Sequence, residues 1–234
     1  MPEPVQPSAS GEEIRAAASE TVRQGTDIRA KVHEITLLAL QRQRFDRHGI
    51  REVVRSVTEG IAVGAEKSGG DVRLAMSEAL RGLDQALRTS AEAGDVALKQ
   101  LARSSRSFSD AEFKQALANL RKLEDDFLNT ADTVASAASA RVQPALREAL
   151  RAVRKTGTET GKQVALTMGD FAQKFSAASF DAAITGLETA SQVGQRFALV
   201  ASGVLGAFAD ALRAPPPPSG KESPQGAPEP PKAS

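Results

Sequence analysis

The chain of 234 residues has no cysteine, no tryptophan and no tyrosine; nine phenylalanines are its only Phe, Trp or Tyr residues. Without cysteine it can form neither a disulfide nor a thiolate zinc site. Charge of one sign is missing too: 30 basic and 29 acidic residues leave a formal +1. That balance argues against a dedicated nucleic-acid binder, which carries a basic stripe or domain. No run approaches the roughly 20 apolar residues of a membrane-spanning helix. The start, "MPEPVQPSASGEE", is acidic and proline-rich, and lacks the basic and apolar parts of a secretory signal. A soluble, cytoplasmic protein is expected.

Signs of catalysis are equally sparse. There is no HExxH pattern and no nucleophile elbow. "GTETGKQ" (157–163) superficially suggests a phosphate loop, but its first glycine lies one residue too near Gly161–Lys162. Gln163 also stands where a metal-binding hydroxyl is needed. A frayed helical segment explains it better. His33 and His48 would lie about 22 Å apart along a continuous helix and could not share a metal; surface or capping positions suit them. Asp125 and Asp126 are neighbours that point apart on a helix, as solvated charges do. The chain reads as a non-enzyme with no cofactor and no metal.

What it does have is alanine, 41 residues of it. Alanine is the strongest helix former but removes little apolar area from water, whereas a Leu or Phe contributes roughly 1.5–3 kcal/mol on full burial. Long helices with narrow contacts follow. Ile14, Ala18, Thr21, Gly25, Ile28, Val32, Ile35 and Ala39 step by four and three, a heptad seam. Ser10 with Glu13 forms a capping box at its start, and Gly49 can end it in a left-handed cap. A second helix runs from about Arg51 to Lys67, and "SGGD" interrupts it, with Asp71 placed to cap a third. Met76, Ala79, Leu83, Ala86, Ala97 and Leu101 carry that third seam. Ser109 and Glu112 repeat the capping-box pattern before a fourth helix marked by Phe113, Leu117, Leu120, Phe127, Ala131, Val134 and Ala138. Pro144 suits the first turn of a fifth.

The expected fold is all-α: an elongated bundle or coiled-coil array of five to six helices. Residues 1–10 are a disordered start, 11–104 and 110–213 two helical regions, and 214–234 a disordered Pro-rich tail. "IREVVRSV" (50–57) and "LREALRAV" (146–153) share a pattern. Either a helical unit is duplicated, or similar amphipathic helices recur in an Ala- and Arg-rich chain; recurrence is the simpler explanation.

One stretch stands apart. "FALVASGVLGAFA" (197–209) holds no charge. On a single helix from Phe180 to Arg213, the residues Phe180, Ile184, Leu187, Ala201, Leu205, Phe208 and Leu212 share a face, widened by Phe197 and Val204. Charged residues then occupy a wedge of roughly 100°, leaving an apolar arc of about 200°. This association face meets either other helices, of its own bundle or a partner chain, or a lipid-like or polymer surface; burial against protein is the preferred reading. Arg147, Arg151, Arg154 and Lys155 form a possible basic ridge for an acidic partner, and a solvated helix face is the plainer explanation.

Residues 164–213, "VALTMGDFAQKFSAASFDAAITGLETASQVGQRFALVASGVLGAFADALR", resemble phasins, helical proteins that coat polyhydroxyalkanoate granules. The absence of cysteine, the Phe-only aromatics and the Pro/Ala/Lys tail share that character. The resemblance carries no diagnostic motif and transfers no functional residue. It implies binding to a hydrophobic granule surface and self-association, without catalysis. The alternative is a self-associating coiled-coil scaffold with no lipid or polymer ligand. A third, stress-protein reading, with order gained only on drying or binding, rests on the scarcity of large apolar residues alone.

Overall fold

The computed structural model describes residues 11–42, 46–103, 110–172 and 195–213. All regular structure among them is helical. The described residues form nine helices, α1 (Gly11–Gln24), α2 (Ile28–Arg42), α3 (Arg47–Lys67), α4 (Val72–Arg103), α5 (Asp110–Arg121), α6 (Leu123–Ala137), α7 (Gln143–Thr156), α8 (Glu159–Ala172) and α9 (Gln195–Arg213). The all-α expectation is met. The number of helices exceeds five or six because two apolar seams pass through breaks that periodicity does not register, and because the chain turns at Gly157 between α7 and α8.

The first break falls at residues 25–27. Gly25 has φ +74° and Asp27 φ +51°, a left-handed conformation that glycine takes freely and aspartate tolerates. Gly25 N–H still reaches the carbonyl of Thr21, so the seam continues on both sides although the chain has turned. The second break is the single residue Lys122 between α5 and α6. Gly49 does not end a helix. It lies in the first turn of α3, and its N–H donates to the Asp46 carboxylate at 2.8 Å, so α3 begins four residues earlier than its periodicity suggests. Asp71 caps α4 as expected, accepting from Arg73 and Leu74 N–H. Pro144 sits in the first turn of α7. Ser10, Ser109 and the tail at 214–234 lie outside the described residues.

The seams of α1 to α9 meet in one continuous apolar cluster. Helix α4 is its hub, touching α2, α3, α5, α7, α8 and α9. Its Met76, Leu80, Leu83, Leu87 and Leu98 are fully buried. The widest helix pairing is α1 against α3, and small residues make it possible. A side-chain carbon at Gly60 would overlap the carbonyl of Arg15, and one at Gly64 that of Ser19. The two backbones therefore touch directly, trading side-chain area for many short contacts. Gly82 on α4 admits the backbone of α2 at Arg29 in the same way. In a core rich in alanine, such close approach supplies dispersion contacts that few large side chains could provide.

Polar ties fix how the helices sit. Asp126 on α6 is 8 % exposed and receives Arg47 Nε at 2.8 Å, Arg47 Nη2 at 3.0 Å and an Nη2 from Arg51, all from α3. It is therefore a buried ion-pair centre and not the solvated charge its neighbourhood suggests. Burial pushes its carboxyl up, but the two guanidiniums more than offset this and hold it below the ordinary 3.8. Lys99 joins α4 to α8 by bridging Asp95 and Asp170, and those hydrogen bonds raise its pKa. Arg141 donates to the carbonyls of Glu66 and Ser68 at the end of α3, where a cation also suits the helix dipole.

Candidate functional site

The uncharged run of 197–209 folds as the middle of α9, which docks on α4 and α2. Phe197 is 1 % exposed, and Ala201 and Leu205 are fully enclosed. Gly94 on α4 makes room for Leu120 of α5, since a side-chain carbon there would lie 2.5 Å from Leu120 Cδ1; Phe197 Cζ, at 3.5 Å from the same point, is in ordinary contact. Gly206 faces the Gln41 side chain of α2. Val204 and Phe208 are half-buried at the edge of the same contact. The described part of the association face is thus covered by the chain's own helices. Phe180, Ile184 and Leu187 lie outside the described residues, and for Leu212 only the backbone is described.

The opposite side of α9 is the less obvious one. Leu199 is 74 % exposed, and Gly203 and Ala207 follow at intervals of four, both facing water. Nothing lies within 4 Å of where a side chain at Gly203 would begin. From Phe197 to Ala209 no Asp, Glu, Lys or Arg interrupts this outer face. A helix of this kind covers one apolar side in the core and presents a second, weaker one outward. Sequence periodicity merges the two into one wide arc, because it cannot say which part of the arc the bundle covers.

The four basic residues proposed as a ridge lie on α7. Ala145, Leu146, Ala149 and Leu150 point inward, while Arg147, Arg151, Arg154 and Lys155 are exposed. Arg154 approaches Asp132 at 3.9 Å; such an exposed pair contributes about 0–1 kcal/mol.

The "GTETGKQ" segment is a tightly specified junction, and the frayed helix expected there is corrected. Gly157, at φ +76°, ends α7. The Thr158 hydroxyl accepts from Gly161 N–H at 2.7 Å and donates to the Glu124 carboxylate of α6. From α4, the 7 %-exposed Asp84 accepts from Glu159 N–H at 2.8 Å, Thr160 N–H at 3.1 Å and the Thr160 hydroxyl at 2.7 Å. The first turn of a helix leaves N–H groups without partners and attracts negative charge. Here that need is filled by two carboxylates from distant helices. A phosphate would meet the same N–H groups already occupied and two acids beside them. No local signal marks Asp84 or Glu124 for this role.

His48 is exposed, while His33 is half-buried between α2 and α4. Its Nε2 is enclosed without a hydrogen-bond partner, and burial lowers its pKa. This corrects the surface position expected for it. Among the described residues no group of three or more metal-ligating side chains comes together, and no helix is long and apolar enough to cross a membrane.

Residues 5–214 match a family model. The chain belongs to DUF6781, a family of unknown function. No curated protein and no solved structure matches it. The DUF6781 match runs through all nine helices and stops at the start of the Pro-rich tail.

Proposed function

We propose that this DUF6781 protein is a non-enzymatic, self-associating helical protein whose contact surface is the outer face of α9, pairing with a second copy. The observation that carries this reading is the exposed line Leu199, Gly203, Ala207 on a helix whose other side is already docked. Small residues four apart let two helices approach closely, as Gly60 and Gly64 do for α1 and α3 within the chain. Large apolar surface left in water favours association by roughly 25 cal/mol per Å² covered. Sedimentation equilibrium of the full chain tests it. The mass should rise with concentration, and Leu199→Glu should return it to the monomer without loss of helicity. A wild-type chain that stays monomeric throughout would overturn the proposal.

A second reading, phasin-like coating of a hydrophobic granule, has its own support. Leu166 on α8, 66 % exposed, adds an apolar side chain on a second helix, and both Leu166 and Leu199 fall in the stretch that resembles phasins. Hydrophobic nanoparticles separate the two. Coating requires that the chain sediment with the particles and that Leu166→Glu and Leu199→Glu each weaken this. Pairing of copies requires only that Leu199→Glu act, with or without particles.

A further inference from the structure

Exposed arginines on α1, α3 and α4 are matched within their own helix. Arg15, Arg23, Arg55, Arg81 and Arg88 each meet a glutamate three or four positions away. Helix α7 departs from this habit. Arg147, Arg151 and Lys155 stand at intervals of four on its exposed side and meet no carboxylate among the described residues. At 100° per residue they lie opposite the buried stripe of Ala145, Leu146, Ala149 and Leu150. Two acids within reach by spacing are engaged elsewhere. Glu148, three before Arg151, turns to Arg73 of α4 at 3.4 Å, and Glu159, four beyond Lys155, turns to Lys162 at 2.6 Å. The helix dipole accounts for a cation in the last turn, such as Lys155, but its pull does not extend back to Arg147.

We infer that the outer face of α7 binds an acidic helix of a partner protein, with Arg147, Arg151 and Lys155 each facing one carboxylate. Residues four apart are separated by about 6 Å along any α-helix. Acids at that interval on a helix lying alongside therefore meet all three cations in register, whichever way it runs. Each guanidinium can also grip a carboxylate through two parallel N–H donors. The cationic line is narrow, because acids border it on both sides: Asp132 of α6 beside Arg154 at 3.9 Å, and Glu148. A broad anionic surface, a bilayer or a nucleic-acid duplex, would press its charge on those acids as well. A single helix would not. This face and Leu199 stand on different helices, so the present inference and the pairing of copies through α9 fail separately.

Fluorescence anisotropy tests it, with a labelled alanine-based helical peptide carrying glutamate at every fourth position and the full chain as titrant at low salt. The peptide should bind saturably and weaken as salt rises. Arg147→Gln, Arg151→Gln and Lys155→Gln together should lower the affinity by about tenfold or more. Arg29→Gln, Arg42→Gln and Lys67→Gln together, which remove the same charge from α2 and α3, should leave it within about twofold. A peptide of equal composition with its glutamates spread around the helix should bind about tenfold more weakly. Leu199→Glu should change none of these results. The inference is overturned by no saturable binding, by a triple α7 variant that binds as the parent does, or by equal binding of the spread-acid peptide. Polyphosphate or phosphatidylserine vesicles that displace the labelled peptide at equal charge would overturn it too, since the face would then accept any polyanion.

Discussion

Two stretches share a sequence pattern and meet different fates. In α3, Ile50, Val53 and Val54 are buried; in α7, Leu146, Ala149 and Leu150 fill the matching positions and are buried too. The likeness stops upstream: 96 residues on from Ile28, Val32 and Leu40 of α2 stand Glu124, Leu128 and Ser136 of α6. Downstream, α3 continues to Lys67 along the backbone of α1, whereas α7 stops at Thr156 and the chain turns at Gly157. The residues beyond the shared pattern decide. Gly60 and Gly64 open a surface that another backbone can press against. The matching place in α7 holds Thr156, exposed and bonded to its own helix at Ala152. An apolar repeat sets which side of a helix is buried; the small residues and polar partners outside it set what the helix is buried against.

The sharpest way to break this comparison is to fill the α1–α3 contact. Gly60→Leu should cost on the order of 3–5 kcal/mol, because the overlap is with main-chain atoms of Arg15 that cannot swing aside. Thr156→Leu at the matching place should change stability by less than about 0.5 kcal/mol. Chemical denaturation of both variants checks it; a harmless Gly60→Leu would show that α1 does not need the close contact. Next in size is Asp84→Ala, expected to cost about 3 kcal/mol, since it leaves the N–H groups of Glu159 and Thr160 without their acceptor, while the Thr160 hydroxyl keeps only the carbonyl of residue 84. Asp71→Ala, an exposed cap, should cost about 1 kcal/mol.

Ion pairing separates α3 and α7 further. Arg47 and Arg51 close on buried Asp126, while Arg147 and Arg151 stand in solvent. Asp126→Asn should therefore lower stability by about 1–2 kcal/mol, read as a drop in the denaturant midpoint. Acid should act in two stages. The folded pKa of His33 lies below its ordinary 6.5, so the unfolded chain takes up that proton first, and stability falls as pH drops below that value. The depressed pKa of Asp126 gives stability that is complete above its ordinary 3.8 and is lost as pH falls through the folded value. His33→Leu should flatten the first stage, and Asp126→Asn the second, in melting curves taken across this range. The smallest effect belongs to Arg147→Ala and Arg151→Ala, each within about 0.5 kcal/mol of the parent.

Much of the fold was legible in the residues and some of it could not be. The seams of α3 and α4, the Asp71 cap and the place of Pro144 are local, and each follows from spacing within a few residues. The breaks at Gly25–Asp27 and Lys122 escape because the buried stripe resumes beyond them with little change of phase. Asp126 looked like its neighbour Asp125 until the arginines of α3 stood beside it. The outer line of α9 could be read as uncharged, but only the docking of Phe197 and Leu205 shows which part of the helix remains uncovered. The groove lined by Leu37 of α2, Leu74 of α4 and Ala209 of α9 has no signature at all, since its walls come from three separate helices.

The carboxylate of Asp84 also has a bearing on the order of events when the chain folds. Its bond to Thr160 spans 76 residues, and closing a loop of that length costs about 4 kcal/mol in chain entropy, beyond a constant. Until α4 is in place, the N–H groups of Glu159 and Thr160 in the first turn of α8 lack their carboxylate acceptor. The early helices, joined by short turns, have no such debt to a distant partner. The expected order of assembly therefore has α4 as the template on which α8 nucleates late. Substitutions at Asp84 should then quicken unfolding far more than they slow refolding.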